Sequence, residues 1–418
     1  MDIFSRYESE VRSYCRSFPV VFSKSKMSNM YTEGGEKYLD FFCGAGALNY
    51  GHNNDEIKNE VINYIENDGI MHALDMHTEA KAKFIECFTE KILKPRDLDY
   101  KIMFCGPSGT NANESALKIA RKYTKRTNVF AFMGAFHGMS IGSLSMTSSD
   151  FSRGGAGVPL TNVTFMPFPY GFNKSFDTIE YIENVLSDNH SGIDKPAAIF
   201  CETVQAEGGI IVADAEWLRR LRALCTKHGI LLVCDEVQIG CGRTGTFFSF
   251  ERAGIKPDIV TMSKSIGGYG MPMAIVLISP EYDCLSPGEH NGTFRGNQIS
   301  FVAAKAAIEY ACRTGIYDDV TRKGKIIEKY ITENILPLNS KLSHRGLGLI
   351  QGIDFSEAGG EDVCKSVAAE CFRNKLIIER AGRNDDVLKL MPPLIISDEE
   401  LMQGLEIIKK SVKTVLSV

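Results

Sequence analysis

Apolar segments alternate with helical segments through the middle of this 418-residue chain, and that alternation limits the possible folds more than any other feature. The apolar segments are KIMFCG, NVFAFM, AAIFCETV, ILLVCDEV, DIVTMS and AIVLIS. Strands that are apolar along their whole length, with helices between them, are typical of a mostly parallel sheet covered on both faces. The sequence therefore predicts an α/β fold with a doubly wound sheet.

The two ends of the chain follow a different pattern. Residues 1–55 contain a short helix and the strand-like segments NMYTEGG and KYLDFF, with a Gly-Gly turn between them. Residues 311–418 contain helices and further strands, and the last helix begins with a capping sequence at Ser397. We expect residues 56–310 to form a large domain, and the two terminal segments to form a smaller α+β domain together.

Composition argues against several classes of function. A net charge of −5 and a pI near 6.0 argue against nucleic acid as the main partner. No apolar run reaches the roughly 20 residues that cross a bilayer, and the N-terminal segment lacks a signal core, so we expect a cytoplasmic protein with no membrane partner. Most of the twelve cysteines have the setting of buried thiols. Neither their spacing nor that of His72 and His77 suits a metal site.

The segment CGPSGTNANESALKIARK joins a strand to a helix that we expect to begin near Asn111. Backbone amides at such a helix start, together with the positive end of the helix dipole, can bind an anion. Gly109 allows close approach of the backbone, and Ser108 and Thr110 can donate from their hydroxyl groups. The segment predicts a phosphate site, and an ordinary capped helix is the alternative.

Two further segments place ionisable side chains at strand ends. Asp235 and Glu236 end the strand ILLVCDEV, where a sheltered carboxylate needs a cationic or hydrogen-bonding partner, and a structural ion pair is the alternative. Lys264 follows the strand DIVTMS among small residues that we expect to leave room for a bulky group: Ser263, Ser265, Gly267 and Gly268. A desolvated lysine amine forms Schiff bases with carbonyl compounds, and a surface lysine is the alternative.

The three segments make chemical sense together. An anion site, an acid and a lysine at neighbouring strand ends are what pyridoxal 5′-phosphate requires for its phosphate, ring nitrogen and aldehyde. Phe136, in GAFHGMS, supplies a ring that can stack on the pyridine. The residues thus predict a pyridoxal-phosphate site.

With these motifs the sequence resembles the class III, fold type I, pyridoxal-phosphate aminotransferases. The resemblance covers nearly the whole chain and rests on SGTNANESALKIAR, AFHGMS, ETVQAEGG, DEVQIGCGRTG, SKSIGGYGMPM and HNGTFRGNQ. Within that family the chain is most similar to the diaminobutyrate–2-oxoglutarate aminotransferases of ectoine synthesis. The segments ESEVRSYCRSFPVVF, FFCGAGALNYGHNN, GIMHALDMHTEAK and PGEHNGTFRGN indicate this.

The resemblance implies a role for each matching residue. Lys264 would bind the cofactor aldehyde and carry protons, Asp235 would pair with the ring nitrogen, and Gln238 would contact the ring oxygen. Gly109 and Thr110 would hold the phosphate, with Phe136 stacked on the ring. Thr293 would reach the phosphate of a neighbouring subunit, so the resemblance implies a homo-oligomer that is at least a dimer.

Two positions depart from the pattern of the family. Met139 stands where many members have an arginine that grips a substrate carboxylate. Lys389 stands where relatives have an arginine paired with the equivalent of Glu207, and a lysine lacks the two-pronged geometry of a guanidinium. Candidates for the carboxylate contact are Lys389, Arg295, Arg12 and Arg16. Ala206 also replaces the usual glycine.

The resemblance implies transfer of an amino group from L-glutamate to L-aspartate 4-semialdehyde, which gives 2-oxoglutarate and L-2,4-diaminobutyrate. We expect the Glu207–Lys389 pair to open for the second carboxylate of the donor. Another ω-aminotransferase, acting on ornithine, 4-aminobutyrate or a diamine, is an alternative. A racemase or aminomutase and a catalytically inactive binding protein are others. The downstream pathway is not encoded in the chain.

Overall fold

The structure is a computed structural model that describes residues 3–417. Its strands are β1 Phe22–Lys26, β2 Asn29–Thr32, β3 Lys37–Asp40, β4 Lys101–Phe104, β5 Val129–Phe132, β6 Val163–Met166, β7 Ala198–Cys201, β8 Val204–Gln205, β9 Ile211–Val212, β10 Leu231–Asp235, β11 Ile259–Met262, β12 Ile275–Ile278, β13 Ser343–Leu347, β14 Ile350–Asp354, β15 Leu376–Ile377, β16 Glu379–Ala381 and β17 Val387–Leu390.

The α-helices connect and cover these strands. They are α1 Ile3–Tyr7, α2 Tyr14–Ser17, α3 Cys43–Gly46, α4 Asp55–Glu66, α5 Glu79–Phe88, α6 Gly109–Thr124, α7 Ile141–Met146, α8 Asp150–Gly154, α9 Thr178–Ser187, α10 Ala215–His228, α11 Gln298–Thr314, α12 Ile316–Asn334, α13 Gly360–Arg373 and α14 Asp398–Leu416. Shorter helical turns are Thr89–Leu93, Lys94–Arg96, Gly171–Ser175, Ser249–Ala253, Lys264–Gly267, Pro280–Tyr282 and Leu336–Leu338.

The central sheet has the strand order β4–β12–β11–β10–β7–β5–β6. The neighbouring pairs from β11 to β6 are parallel, whereas β12 pairs antiparallel with both β11 and β4. The sheet is therefore mostly parallel, and the predicted α/β fold is confirmed. In such a sheet the carboxyl ends of the parallel strands meet at one edge, where ligands bind.

Alternate side chains of the central sheet pack into two separate cores. On one face, Leu232 and Cys234 of β10 belong to a core that also contains side chains of α5 and α10. On the other face, Leu231 and Val233 belong to a core with side chains of α6. Because both faces are buried, β10 carries no polar residue before its last one, Asp235.

The predicted scaffold helix is α10. Its apolar face is buried through Trp217, Leu218, Leu221 and Leu224, as the spacing predicts. The Asp214 side chain caps its start by accepting from the Glu216 amide, and Gly229, with φ of 56°, ends it in the left-handed conformation.

Two smaller sheets involve the terminal segments. β1, β2 and β3 form an antiparallel unit, and β15 adds to β3 in parallel. β13, β14, β17 and β16 form an antiparallel sheet near the C-terminal end. The β3–β15 pair joins residues far apart in sequence, while the domain boundaries near residues 55 and 310 stay a prediction. None of the helices within residues 3–417 combines the length and apolar character needed to cross a membrane.

Candidate active site

A cavity of about 160 Å³ lies where β7, β10 and β11 end and α6 begins. Its lining residues are Gly109, Thr110, Asn113, Phe136, His137, Gly138, Glu202, Val204, Glu207, Asp235, Val237, Gln238, Ile239 and Lys264. Most of the predicted site residues are therefore together at one edge of the sheet. Ser108, Thr293 and Lys389 are not part of this lining.

Lys264 lines this cavity, and its backbone conformation is constrained. It follows β11 and begins a short helical turn with φ of 53°, a left-handed conformation that is unusual for a lysine. No residue within 3–417 forms a hydrogen bond or ion pair with its ammonium group. Burial lowers its pKa, although Glu207 and Asp235 favour the charged form. The neutral amine needed for attack on a carbonyl is thus easier to reach than in water.

The sequence predicts that the small residues beside Lys264 leave room for a bulky group, but the structure gives them other contacts. Ser263 donates to Met273 O at 2.9 Å, and Ser265 donates to Gly46 O at 2.7 Å, so both serines fix the backbone of the turn. A Cβ at Gly268 would lie 2.3 Å from Ala303 O. The expectation that these residues leave room for a bulky group is wrong for Gly268, because α11 packs directly against it.

Asp235 accepts hydrogen bonds from three donors. Asn113 Nδ2 and His137 Nδ1 donate to its Oδ2 at 2.7 and 2.8 Å, and the Val237 amide donates to its Oδ1 at 3.0 Å. Asn113 also donates to His137 O at 2.8 Å, so the donors support one another. The carboxylate is 5% exposed and has no arginine or lysine partner among the described residues. A structural ion pair, here with His137, therefore stays the alternative to a cofactor contact.

The start of α6 supplies an anion site. The helix begins at Gly109, two residues before the expected start, and Ser108 caps it by accepting from the Asn111 amide. None of the described residues accepts a hydrogen bond from the amides of Gly109 and Thr110. A Cβ at Gly109 would lie 2.7 Å from Val237, so only glycine allows this approach. Two free amides at a helix start suit a phosphate group.

Glu202 is a buried acid that sequence reasoning did not select. It follows β7 and accepts from the Phe136 amide at 3.1 Å, which helps to position the expected stacking residue. Burial, reinforced by the nearby charge of Asp235, raises the pKa of Glu202 well above its ordinary value. Because Cys201 and Cys234 are register partners of β7 and β10, Glu202 and Asp235 leave the sheet side by side. The register of β7 against β10 could not be predicted from the sequence.

The segment Cys43–Gly46 contacts Gln238, which lines the cavity, and has a strained backbone. Cys43, Gly44, Ala45 and Gly46 all have positive φ. Ala45 O accepts from Gln238 Nε2 at 3.1 Å, while Gly46 O accepts from Ser265. Strained backbone of this kind collects at functional sites, where surrounding contacts enforce it.

Glu207 and Lys389 form an ion pair, with Lys389 Nζ 2.8 Å from Glu207 Oε1. Glu207 Oε1 also accepts from Gln238 Nε2 at 2.9 Å. Lys389 has a second partner that the sequence did not reveal, since Glu379 Oε2 lies 2.8 Å from the same ammonium group. The Lys389 side chain is fully buried, so a charge-neutralising partner is required.

The charges of Glu207, Glu379 and Lys389 shift the pKa values of one another. Burial alone would raise the pKa of Glu207, yet Lys389 and Lys264 lower it to about 2. Burial raises the pKa of Glu379, and the charge of Glu207 adds to this. Burial would also lower the pKa of Lys389, but the two carboxylates hold it above its ordinary value. Lys389 is therefore charged at neutral pH.

Comparison with known proteins places the chain in a family. Residues 12–412 match the family described as aminotransferase class-III. The chain belongs to the class-III aminotransferases. It is 52% identical over 417 residues to a diaminobutyrate–2-oxoglutarate transaminase of Halalkalibacterium halodurans, covering 100% of this chain and 97% of the relative. It is 49% identical over 419 residues to the Streptomyces coelicolor transaminase of the same name, covering 99% and 98%.

Solved structures agree with this aminotransferase fold. An ornithine aminotransferase from Toxoplasma gondii, which holds pyridoxal phosphate at partial occupancy, superposes with a TM-score of 0.85 at 24% identity, covering 99% of this chain and 93% of that one. A Bacillus anthracis aminotransferase gives a TM-score of 0.88 at 24% identity, covering 98% and 97%. At this identity the likeness shows the fold.

The aminotransferase site fits pyridoxal 5′-phosphate. The free amides of Gly109 and Thr110 suit its phosphate, Asp235 suits a protonated ring nitrogen, and the unpartnered Lys264 suits its aldehyde. A side chain at Gly138 would fill this cradle, because its Cβ would lie 2.6 Å from Thr110 Oγ1. The predicted contact of Gln238 with the ring oxygen stays a prediction, since its amide donates to Ala45 and Glu207.

The other predicted residues of this aminotransferase lie away from the cavity. Arg295 pairs with Asp75, and Arg12 and Arg16 pair with acids of their own N-terminal segment. Met139 is 54% exposed. Of the four candidates for a carboxylate contact, Lys389 is joined to the cavity, through Glu207. Within residues 3–417 no cluster of three or more His, Cys, Asp and Glu side chains could hold a metal ion.

Proposed function

We propose that this aminotransferase moves the amino group of L-glutamate to L-aspartate 4-semialdehyde and forms 2-oxoglutarate and L-2,4-diaminobutyrate, with pyridoxal 5′-phosphate as cofactor. The observation that carries the proposal is the full-length similarity, near 50% identity, to diaminobutyrate–2-oxoglutarate transaminases. The cavity supports it because Lys264, Asp235 and the start of α6 surround one space.

Residues at the sheet edge would hold the cofactor. The amides of Gly109 and Thr110 would bind its phosphate, and Phe136 lines the cavity from the β5 side. Asp235, positioned by Asn113 and His137, would keep a proton on the ring nitrogen. When bound, pyridoxal phosphate supplies an electron sink for the bonds that break at the substrate carbon.

Lys264 moves protons in both half-reactions. Its Nζ lies in a sheltered position where burial favours the neutral amine. In the first half-reaction the neutral amine would carry a proton from the reacting substrate carbon to the cofactor carbon. In the second half-reaction it would carry a proton in the opposite direction, from the cofactor carbon to the second substrate. Because the backbone on both sides is tied down by Ser263 and Ser265, Nζ stays in reach of the reacting carbon.

The two substrates present different groups at the far end of the site. Glutamate reacts at its α-carbon and carries a second carboxylate, whereas aspartate semialdehyde reacts at its aldehyde and carries an α-ammonium and an α-carboxylate. Glu207 lies between the cavity and Lys389. The Glu207 carboxylate accepts hydrogen bonds from the α-ammonium group of aspartate semialdehyde. When Glu207 moves away from Lys389, the second carboxylate of glutamate binds in its place.

The visible absorption of the purified holoenzyme tests this function. L-glutamate alone should remove the absorption of the bound aldehyde, and aspartate semialdehyde should restore it, with diaminobutyrate as product. Loss of absorption without recovery would keep the aminotransferase and exclude this acceptor. Recovery with glutamate semialdehyde or succinate semialdehyde in its place would favour an ornithine or 4-aminobutyrate aminotransferase.

We further propose that the active unit is a homodimer. The loop between α4 and α5 exposes the apolar side chains Ile70, Met71, Leu74 and Met76. His72 joins this loop to a second exposed one, because its Nε2 donates to Thr293 O at 2.8 Å and its ring contacts Phe294. A second copy covering this surface would bring Thr293 towards the neighbouring phosphate. Sedimentation at micromolar concentration should give the mass of two chains.

The cellular setting is proposed on two grounds. The structure leaves all twelve cysteines as thiols, and most are buried, which suits the reducing cytoplasm. Similarity to enzymes that form diaminobutyrate supports a place at the start of ectoine synthesis. Loss of ectoine on deletion of the coding sequence, with rescue by added diaminobutyrate, would test that assignment.

A further inference from the structure

We infer that Glu379 is a positioning residue that sets substrate specificity: it keeps Lys389 ion-paired when Glu207 moves, so that the far end of the site favours an ammonium group over a carboxylate. This inference rests on the proposed function, because it concerns the two substrates named there. It assigns a role to the partner of Lys389 that no sequence motif marks.

The sheet places Glu379 directly beside Lys389. The two residues are direct register partners of β16 and β17, so their side chains lie on the same face of adjacent strands. Their charged atoms are 2.8 Å apart, and the Glu379 side chain is 14% exposed. The two backbones are held beside each other by the sheet, so this pair can persist when Glu207 moves.

Glu207 is the partner that can leave. It lies in the turn between β8 and β9 and not in a strand, and its side chain is 32% exposed. Its backbone stays anchored while the side chain turns, because Glu207 O accepts from the Gly382 amide at 3.0 Å. Glu207 lines the cavity, whereas Glu379 and Lys389 lie behind it.

The net charge of the cluster formed by Lys389, Glu207 and Glu379 follows from its three charged groups. One ammonium group and two carboxylates leave a surplus of one negative charge, which Glu207 presents to the cavity. That surplus stabilises the α-ammonium of diaminobutyrate or aspartate semialdehyde. When glutamate enters and Glu207 turns away, its second carboxylate meets a Lys389 that Glu379 has already neutralised. The bound dicarboxylate is therefore less stabilised than it would be by a free cation.

The Glu379→Gln enzyme tests the inference, assayed with its cofactor at mildly alkaline pH. Removing one negative charge should raise the KM for diaminobutyrate and lower the KM for 2-oxoglutarate, each by about fivefold, with kcat little changed. Calorimetric titration with glutarate, a dicarboxylate that cannot react, should show a matching gain in affinity. KM values that move in the same direction, or a fall in kcat alone, would overturn the assignment.

Two variants serve as controls. Asp354→Asn removes a buried carboxylate from β14 of the same sheet, where Arg345 is its partner, and should leave the KM ratio unchanged. Glu379→Asp keeps the charge and should stay closer to the wild-type ratio than Glu379→Gln. An equal divergence of KM values in Asp354→Asn, or in Glu379→Asp, would show that the charge of Glu379 is not the cause.

Failure of the inference can be separated from failure of the proposed function. If the wild-type enzyme does not use diaminobutyrate at all, the proposed function is wrong. The glutarate titration still reports on Glu379 in that case, because it needs no turnover. If the wild-type enzyme uses diaminobutyrate and Glu379→Gln shows no divergence, only the inference is wrong.

Discussion

The two ends of the active site hold their charges in opposite ways. At the sheet edge, Asp235 accepts hydrogen bonds from Asn113 of α6, from His137 in the loop after β5 and from the Val237 amide. At the far end, Lys389 is bound by two charged carboxylates, one on a neighbouring strand and one on a turn. The arrangement around Asp235 has one stable geometry, whereas Lys389 has one partner, Glu207, that can move away.

This difference matches what each end has to recognise. The cofactor end meets the same ring in every turnover, so a rigid carboxylate with fixed donors gives the strongest stabilisation. The substrate end meets an ammonium in one half-reaction and a carboxylate in the other. A charged cluster with one removable member can serve both, which a rigid network of hydrogen-bond donors cannot. Mutations at the two ends should therefore have different kinetic signatures.

The largest effect is expected at the cofactor end. In Asp235→Asn the side chain cannot hold a proton on the ring nitrogen, and its amide hydrogens would face the donors Asn113 and His137 or the Val237 amide. We expect kcat to fall about a thousandfold in both half-reactions. Stopped-flow absorbance with each substrate measures the two rates. A loss confined to one half-reaction would contradict the rigid, substrate-independent role of this end.

The next largest effect is expected for Lys389→Ala. It leaves Glu207 and Glu379 without their shared cation, and breaking a buried pair costs about 3–5 kcal/mol of folding free energy. The KM for glutamate should rise about tenfold, because its second carboxylate loses the Lys389 cation at this end. Urea denaturation and steady-state kinetics measure the two quantities. An unchanged KM for glutamate would exclude Lys389 as the carboxylate contact.

A smaller effect is expected for Asn113→Ala, which removes one of the two donors to Asp235 Oδ2. His137 and the Val237 amide remain, so the carboxylate keeps its position. The loss of one hydrogen bond to a charged group costs about 1.5–3 kcal/mol, which corresponds to a fall in kcat of about tenfold or more. KM values for both substrates should stay the same. A KM change for one substrate alone would show that the two ends are coupled.

The cofactor end could be predicted from the sequence because its residues follow strand ends. Asp235 and Lys264 each end an apolar segment, and Gly109 begins a helix, so local patterns place them at one edge. Asn113 was not found, because it lies inside α6 and its role depends on how the helix is rotated against the sheet. The hydrogen bonds of Ser263 and Ser265 could not be predicted either, because the tertiary fold places their acceptors, Met273 O and Gly46 O.

The substrate end could be predicted only in part. Glu207 and Lys389 were paired through the resemblance, and the structure places them 2.8 Å apart. Glu379 was not found, because its position depends on the register of β16 against β17, and a shift of one residue would turn it to the opposite face. The fold class was predictable from the strand and helix alternation, whereas the direction of β12 was not.

The smallest effect on turnover is expected for Glu236→Gln. This variant sharpens the comparison between the two ends of the active site, because Glu236 is the direct neighbour of Asp235. Its carboxyl does not line the cavity, and it accepts from the amide and hydroxyl of Ser249. Burial raises its pKa from 4.5 to about 8.

A pKa that is higher in the folded state means that stability is present below pH 4.5 and is lost as the pH rises towards 8. Glutamine does not ionise, so the variant should gain in free energy of unfolding relative to the wild type across this interval, while kcat is unchanged. Urea midpoints of both proteins at several pH values measure the difference. A difference that does not vary with pH would mean that Ser249 stabilises the ionised carboxylate. In that case the strand end could hold a buried charge without the three hydrogen-bond donors that surround Asp235.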